Sequence, residues 1–190
     1  MKYLLTFLLL SACTVTQMVP RPTTKEQVTK NFEILLNASA TLLDSQSATF
    51  CSGVFYKDFI LTAHHCVDDD PIVEVALYKH YTGRGWRNHY TFAVHDSLPE
   101  QDLALLSPAS NIPKIYTNLT LAQKPSLGER VFLVGSPHGV PYFTSEGRVA
   151  RPGALLRNKK VTFVTAPAYP GNSGGMVVND DGEIVGNILI

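Results

Sequence analysis

Apolar residues along this chain fall mainly in short runs broken by turn residues. In the first half the runs are 53–55, 59–63, 72–77, 91–94 and 103–106; in the second they are 130–135, 142–150, 160–166, 175–178 and 183–190. Short runs of this kind, bounded by Gly, Pro, Asn and Ser, predict strands, and Pro137, Gly139, Pro141, Pro152 and Gly153 predict the loops of the second half. No long helical period and no 20-to-50-residue repeat is present, so the pattern predicts an all-β chain built as antiparallel sandwich or barrel. Residues 25–36 read two ways. Val28, Phe32 and Leu35 suit a helix face, whereas Phe32, Ile34 and Leu36 alternate as a strand does; a short helix or turn followed by a strand from about residue 32 is favoured. Residues 107–125, rich in Pro, Asn and Ser, read as the connection between two units, placed at 31–110 and 111–190.

Composition adds little to this picture. The 190 residues are 45% hydrophobic and 17% charged, enough for one substantial core or two small ones. Sixteen basic and sixteen acidic residues cancel, so no global field points to a nucleic-acid partner.

The N-terminus changes more. Lys2 precedes the apolar stretch 3–10, which is too short to span a bilayer, since that takes about 20 residues. Leu10-Ser11-Ala12-Cys13 follows as a small-residue junction. The segment reads as an export signal, and L-S-A-C resembles the bacterial lipobox. That resemblance implies a signal at 1–12, Cys13 as the lipidated mature N-terminus, and a membrane-anchored lipoprotein. Residues 13–30, with Pro20 and Pro22, then read as a tether. Cys51 and Cys66 remain, and in an exported chain the two are expected to pair. No C-x-x-C or H-x-x-x-H spacing completes a tetrahedral metal set, so neither metal nor cofactor is expected.

Candidate chemistry lies in three places. Gly171-Asn172-Ser173-Gly174-Gly175 sets a serine between glycines before the apolar run 176–178. Glycines allow a tight turn that brings backbone N–H groups toward a substrate carbonyl, although such small-residue clusters between strands, taken alone, are usually turns. Thr62-Ala63-His64-His65-Cys66 ends an apolar run with two histidines, candidate general bases or simply surface residues. Asp102 stands immediately before Leu103-Ala104-Leu105-Leu106, and a carboxylate heading a buried run needs a hydrogen-bonding partner such as a histidine N–H. Asp96 and Asp68-Asp69-Asp70 sit beside turn signals and read as solvated loop acids. Arg84, Trp86, Arg87 and Tyr90 read as an exposed connector, and the sequons at Asn37 and Asn118 carry little weight in a bacterial exported chain.

Together these residues resemble the trypsin-like (chymotrypsin-fold) serine peptidases, and most closely their Deg/high-temperature-requirement branch. T-A-x-H-C, D-[IL]-A-L-L and G-[DN]-S-G-G occur in the family's order. Leu127-Gly128-Glu129-Arg130-Val131, Val134-Gly135-Ser136-Pro137, Ser145-Glu146-Gly147-Arg148-Val149 and Asn172 resemble the Deg branch in particular. The resemblance implies two antiparallel β-barrels with the site in their cleft, and an exported serine endopeptidase acting on protein or peptide substrates. Ser173 would be the nucleophile, His65 the base, Asp102 its orienting acid, and the N–H groups of Gly171 and Ser173 the oxyanion site. His64 occupies a position where the family more often has a small residue. Cys51 and Cys66 resemble the bridge flanking the histidine in the trypsin group.

The residue six before the nucleophile, Pro167, would floor the specificity pocket, with Ala168 beside it and Leu189 on the far wall. None is charged, so the implied preference at the residue before the cleaved bond is apolar. Family members continue past the strand that ends here at Ile190, so the second barrel is expected to be incomplete. That departure motivates an alternative reading, a catalytically silent surface binding protein on the same fold. An esterase is disfavoured: G-x-S-x-G occurs literally at 171–175, but β-type residues follow the serine and the order is His, Asp, Ser.

Overall fold

The computed structural model describes residues 25–44, 46, 48–80, 88–114 and 119–190. The expected signal, Cys13, the connector residues Arg84, Trp86 and Arg87, and Asn118 lie outside the described residues. Helix α1 (Lys25–Ala38) runs directly into β1 (Ser39–Leu43). Strands β2 (Thr49–Tyr56), β3 (Phe59–Thr62), β4 (Ile72–Leu77), β5 (His89–Leu98) and β6 (Leu103–Pro108) complete a closed antiparallel barrel in the order β1-β2-β3-β6-β5-β4. The second unit is a five-stranded antiparallel sheet: β7 (Arg130–Gly135), β8 (Phe143–Leu156), β9 (Lys159–Val164), β10 (Met176–Asn179) and β11 (Ile184–Asn187), in the order β11-β10-β7-β8-β9. The all-β, two-unit expectation is met. The first unit closes, and the second, as expected, does not close among the described residues.

Three apolar clusters hold these parts together. Leu42, Phe55, Ile60, Val75, Phe92 and Leu106 fill the barrel, with Phe55 and Phe92 edge to face at 6.0 Å. Val131, Leu133, Val149 and Val177 form the core of the sheet. Between them Leu35 and Ala38 of α1 pack with Val54, Val134, Met176 and Val178, so the helix is a wedge joining both units.

That wedge explains the first difference from sequence. The helix continues to Ala38, through the residues 32–36 expected as a strand, and it begins at Lys25, inside the expected tether. Phe32, Leu35, Leu36 and Ala38 recur at helical spacing, and the partners that select this period over the alternating one come from both units, Val54 on one side and Val134, Met176 and Val178 on the other. Ser39 Oγ donates to Leu35 O at 2.8 Å and so satisfies a helix-end carbonyl as the strand begins. The second difference is at Pro152 and Gly153, expected in a loop but lying inside β8. Pairing with β9 shifts register between Val149 and Arg151 and between Arg151 and Ala154. These bulges take up a proline without N–H and a glycine at φ +63° while the strand continues.

Candidate active site

The chain folds locally to aim each candidate side chain. After β3, Ala63 is extended and His64–Cys66 form a 3-10 turn, closed by Cys66 N–H to Ala63 O (3.2 Å) and Val67 N–H to His64 O (2.9 Å). A disulfide joins Cys66 to Cys51 on β2. Closing a 15-residue separation, it restricts the unfolded chain by about 3 kcal/mol and pins the turn to the barrel wall. Thr62 Oγ1, fully buried, ties the same corner to Ser52 O at 2.7 Å. On the neighbouring strand, the 3-10 turn Pro99–Gln101 is capped by Asp102 in the left-handed region (φ 56°, ψ 48°), a conformation acidic residues tolerate better than most.

The left-handed cap turns the Asp102 carboxylate onto His65. Its Oδ2 lies 2.9 Å from His65 Nδ1, and its Oδ1 accepts the His65 backbone N–H at 2.9 Å. Both oxygens are therefore spent on one residue, which fixes the imidazole by its ring and its backbone together. Burial pushes the Asp102 carboxyl up, but the two His65 hydrogen bonds, the His65 charge and the Lys159 charge outweigh it. The carboxyl is held below its ordinary value. His65 is about two-fifths exposed, and its remaining nitrogen makes no hydrogen bond among the described residues.

The other histidine points elsewhere. His64 Nε2 pairs with Asp68 Oδ1 at 3.2 Å, and its buried Nδ1 has no partner among the described residues. Asp68, expected as a solvated loop acid, is 68% exposed and makes that single contact.

Ser173 sits 5% exposed in the turn before β10. Two glycines shape that turn, for different reasons. Gly171 has φ +99° and a Cβ there would stand 2.5 Å from Ser136 O; Gly174 has φ +82° and its Cβ would overlap Ser52 O and Thr62 Oγ1 across the unit boundary. Ser52 then clamps the loop. Its N–H donates to Ser173 O (2.8 Å), its hydroxyl donates to Gly171 O (2.7 Å), and the same hydroxyl accepts the Ser136 N–H (2.8 Å). Ser136 Oγ continues the chain to Thr41 Oγ1 at 2.8 Å. Asn187 Nδ2 donates to Gly174 O at 2.9 Å, and Gly174 N–H donates to Ile188 O at 2.8 Å. Among the described residues, the N–H groups of Asn172, Gly174 and Gly175 have acceptors, while those of Gly171 and Ser173 have none.

The structure thus joins His65 to Asp102 directly, and joins the Ser173 loop to the barrel strand that carries Cys51. Cys66 Sγ lies 3.8 Å from Ser173 O. The Ser173 hydroxyl itself donates to Ile190 O at 3.4 Å, and no hydrogen bond to His65 is formed. Pro167 and Ala168 lie in an exposed stretch, with Pro167 O accepting from Ser145 Oγ at 2.6 Å; Leu189 is 40% exposed and follows Ile188, which is bonded to the serine loop. The ligand atoms of Cys51, His65 and Cys66 fall within 4.8 Å of one another, but the two sulfurs are bonded to each other and leave one nitrogen to offer. Sequence reading missed Ser52, Thr41 and Ser136. The available signal was Ser52 itself, a hydroxyl inside an apolar strand that must find partners when buried.

A closed antiparallel barrel clamped to a second antiparallel sheet at a serine turn is the architecture of the chymotrypsin-like class. Within it, the chain belongs to the trypsin-like peptidase domain family, whose pattern matches residues 51–186. It is 31% identical over 147 residues to a Marinomonas protein named "Probable periplasmic serine endoprotease DegP-like", covering 74% of this chain and 29% of that one. A protein of the same name from Pseudomonas fulva is 33% identical over 138 residues, covering 70% of this chain and 27% of the relative. The chain therefore matches less than a third of the length of these relatives. Among solved structures, the protease domain of MamO from Magnetospirillum magneticum has the same fold, with TM-score 0.68, 21% identity, and coverage of 82% of this chain and 85% of that one.

Proposed function

We propose that this chain is an exported serine endopeptidase working through an acyl-enzyme. The observation that carries the reading is the double hydrogen bond between Asp102 and His65, beside a serine turn that Ser52 holds from the same barrel. In this reading Asp102 accepts from Nδ1 and so leaves Nε2 unprotonated and able to take the Ser173 proton. The Ser173 hydroxyl leaves its long contact with Ile190 O for the imidazole, and its oxygen attacks the peptide carbonyl carbon. The N–H groups of Gly171 and Ser173 receive the oxyanion, stabilising charge that develops only at the transition state. Protonated His65 then gives its proton to the leaving amine, and the acyl-serine is hydrolysed by a water activated at the same nitrogen.

Pro167, Ala168 and Leu189 carry no charge, which favours cleavage after small or medium apolar residues. The periplasmic relatives and the signal-like N-terminus support export, with Cys13 as the site of a lipid anchor. The test is labelling of the full chain with a fluorophosphonate, read by mass spectrometry of the modified peptide. The adduct is expected on Ser173 and absent from Ser173→Ala. Folded wild-type protein that takes no label would overturn the endopeptidase reading in favour of a binding protein.

A further inference from the structure

The hairpin of β8 and β9 carries charge and apolar surface that the peptidase reading does not use. Although the chain is neutral overall, no acidic residue lies between Glu146 and Asp180, a stretch that holds Arg148, Arg151, Arg157, Lys159 and Lys160. The strands are joined at Arg157 and Asn158, both at positive φ (47° and 66°), the conformation of a tight two-residue turn. For a bulky arginine the left-handed region is uncommon, and this turn fixes the hairpin tip in one shape.

The two faces of the hairpin differ. Leu156 pairs with Lys159 and Ala154 with Val161 on the face where Ala154 is buried; from that face Lys159 Nζ donates to Pro99 O at 3.3 Å, on the turn leading to Asp102. Leu155 pairs with Lys160 on the opposite face, and Leu155 is 79% exposed, the most exposed large apolar side chain among the described residues. Lys160 and, from the connector before β7, Lys124 both reach over Gly153. Lys160 Cε and Lys124 Nζ come within 3.2 Å and 3.9 Å of where a Cβ would stand. Neither ammonium has an acidic partner among the described residues. An exposed leucine with Lys160 opposite it and Lys124 over the nearby Gly153, and with Arg157 at the tip, combines an apolar wedge with charge for phosphate.

We infer that this face of the hairpin docks on an anionic phospholipid bilayer, with Leu155 entering the interface and Lys124, Lys160 and Arg157 against the headgroup phosphates. Lysines on an edge strand also discourage pairing with a second copy, and β9 is such an edge. That role does not account for the outward leucine or for Lys124, which lies outside the strand. Basic side chains near an anionic surface strengthen binding by about fivefold each, and the effect decays within a Debye length. Docking here is independent of the catalytic reading, and through the Lys159–Pro99 contact it would hold the Asp102 turn near the membrane.

The test is sedimentation of the full chain with vesicles of phosphatidylglycerol and phosphatidylcholine against vesicles of phosphatidylcholine alone. Any contribution from the N-terminal segment is common to wild type and variants. Wild type is expected to prefer the anionic vesicles, with the preference falling about 25-fold or more in Lys124→Glu/Lys160→Glu. Leu155→Asp should weaken binding to both vesicle types. Thermal melting of each variant reports folding, and a salt series on wild type alone should abolish the preference. Equal binding of wild type to both vesicle types, or a preference that both variants keep, would overturn the inference. So would lipid-free self-association of wild type that Leu155→Asp abolishes, which would give this face to a second copy.

Discussion

His65 and Asp102 lie on neighbouring corners of one closed barrel and hold each other, through two hydrogen bonds of 2.9 Å and a disulfide that anchors the histidine turn. Ser173 belongs to the open sheet, yet much of what shapes its loop comes from the other unit: the Ser52 N–H and hydroxyl, and the close approach of Gly174 to Thr62 and Ser52. The first arrangement can form whenever the barrel forms. The second exists only when the two units dock, so the serine turn reports on the interface as much as on its own sequence.

The largest effect expected on this contrast is on chemistry. Asp102→Asn keeps the shape but offers an N–H to Nδ1, which selects the wrong tautomer; peptide turnover should fall about 10⁴-fold while thermal melting shows the fold retained. A variant that keeps turnover within tenfold would remove Asp102 from the proposed triad. Next is Gly174→Ala, where the new Cβ meets Ser52 O and Thr62 Oγ1 at a backbone that already has φ +82°. Strain and overlap together should cost about 3 kcal/mol or more in denaturant unfolding. Gly182→Ala is the control, because Gly182 has φ +79° with nothing near its Cβ position, and should cost only about 1 kcal/mol. Equal costs at the two positions would show that docking of the units is not what requires Gly174.

Ser52→Ala should cost about 2 kcal/mol, since it strands the buried Ser136 N–H and removes a donor from Gly171 O. It should slow labelling of Ser173 while leaving the low-field Nδ1 proton of His65 in place by NMR. Loss of that proton as well would mean the two halves of the site are not separately held. The smallest effect concerns pH. The Asp102 carboxyl is held below its ordinary value, so it contributes stability that is fully present above about pH 4 and is lost as the pH falls through the lower folded-state value. Denaturant midpoints of wild type should therefore drop more steeply than those of Asp102→Asn in that acid range.

Where the sequence was misread, the missing information was distant. At residues 32–36 both the helical and the alternating period are present, and packing against Val54 of the barrel and Val134, Met176 and Val178 of the sheet chooses between them. Pro152 and Gly153 carry turn chemistry, but pairing of β8 with β9 on both sides absorbs them as bulges. The serine turn, the histidine corner and the Asp102 position were legible because each is a short local pattern: glycines where φ must be positive, a cysteine that can pin a turn, an acid at the head of a buried strand.

Strand period, turn residues and short motifs are properties of neighbours in the chain, and from them the all-β class, the family and the candidate site residues could be read. Packing was needed to fix which nitrogen of His65 faces Asp102, that Ser52 clamps the serine turn, and that Leu155 points outward opposite Lys160, with Lys124 over the nearby Gly153. Those depend on register, on a left-handed residue and on the docking of two units, none of which is fixed until segments far apart in the chain are packed together.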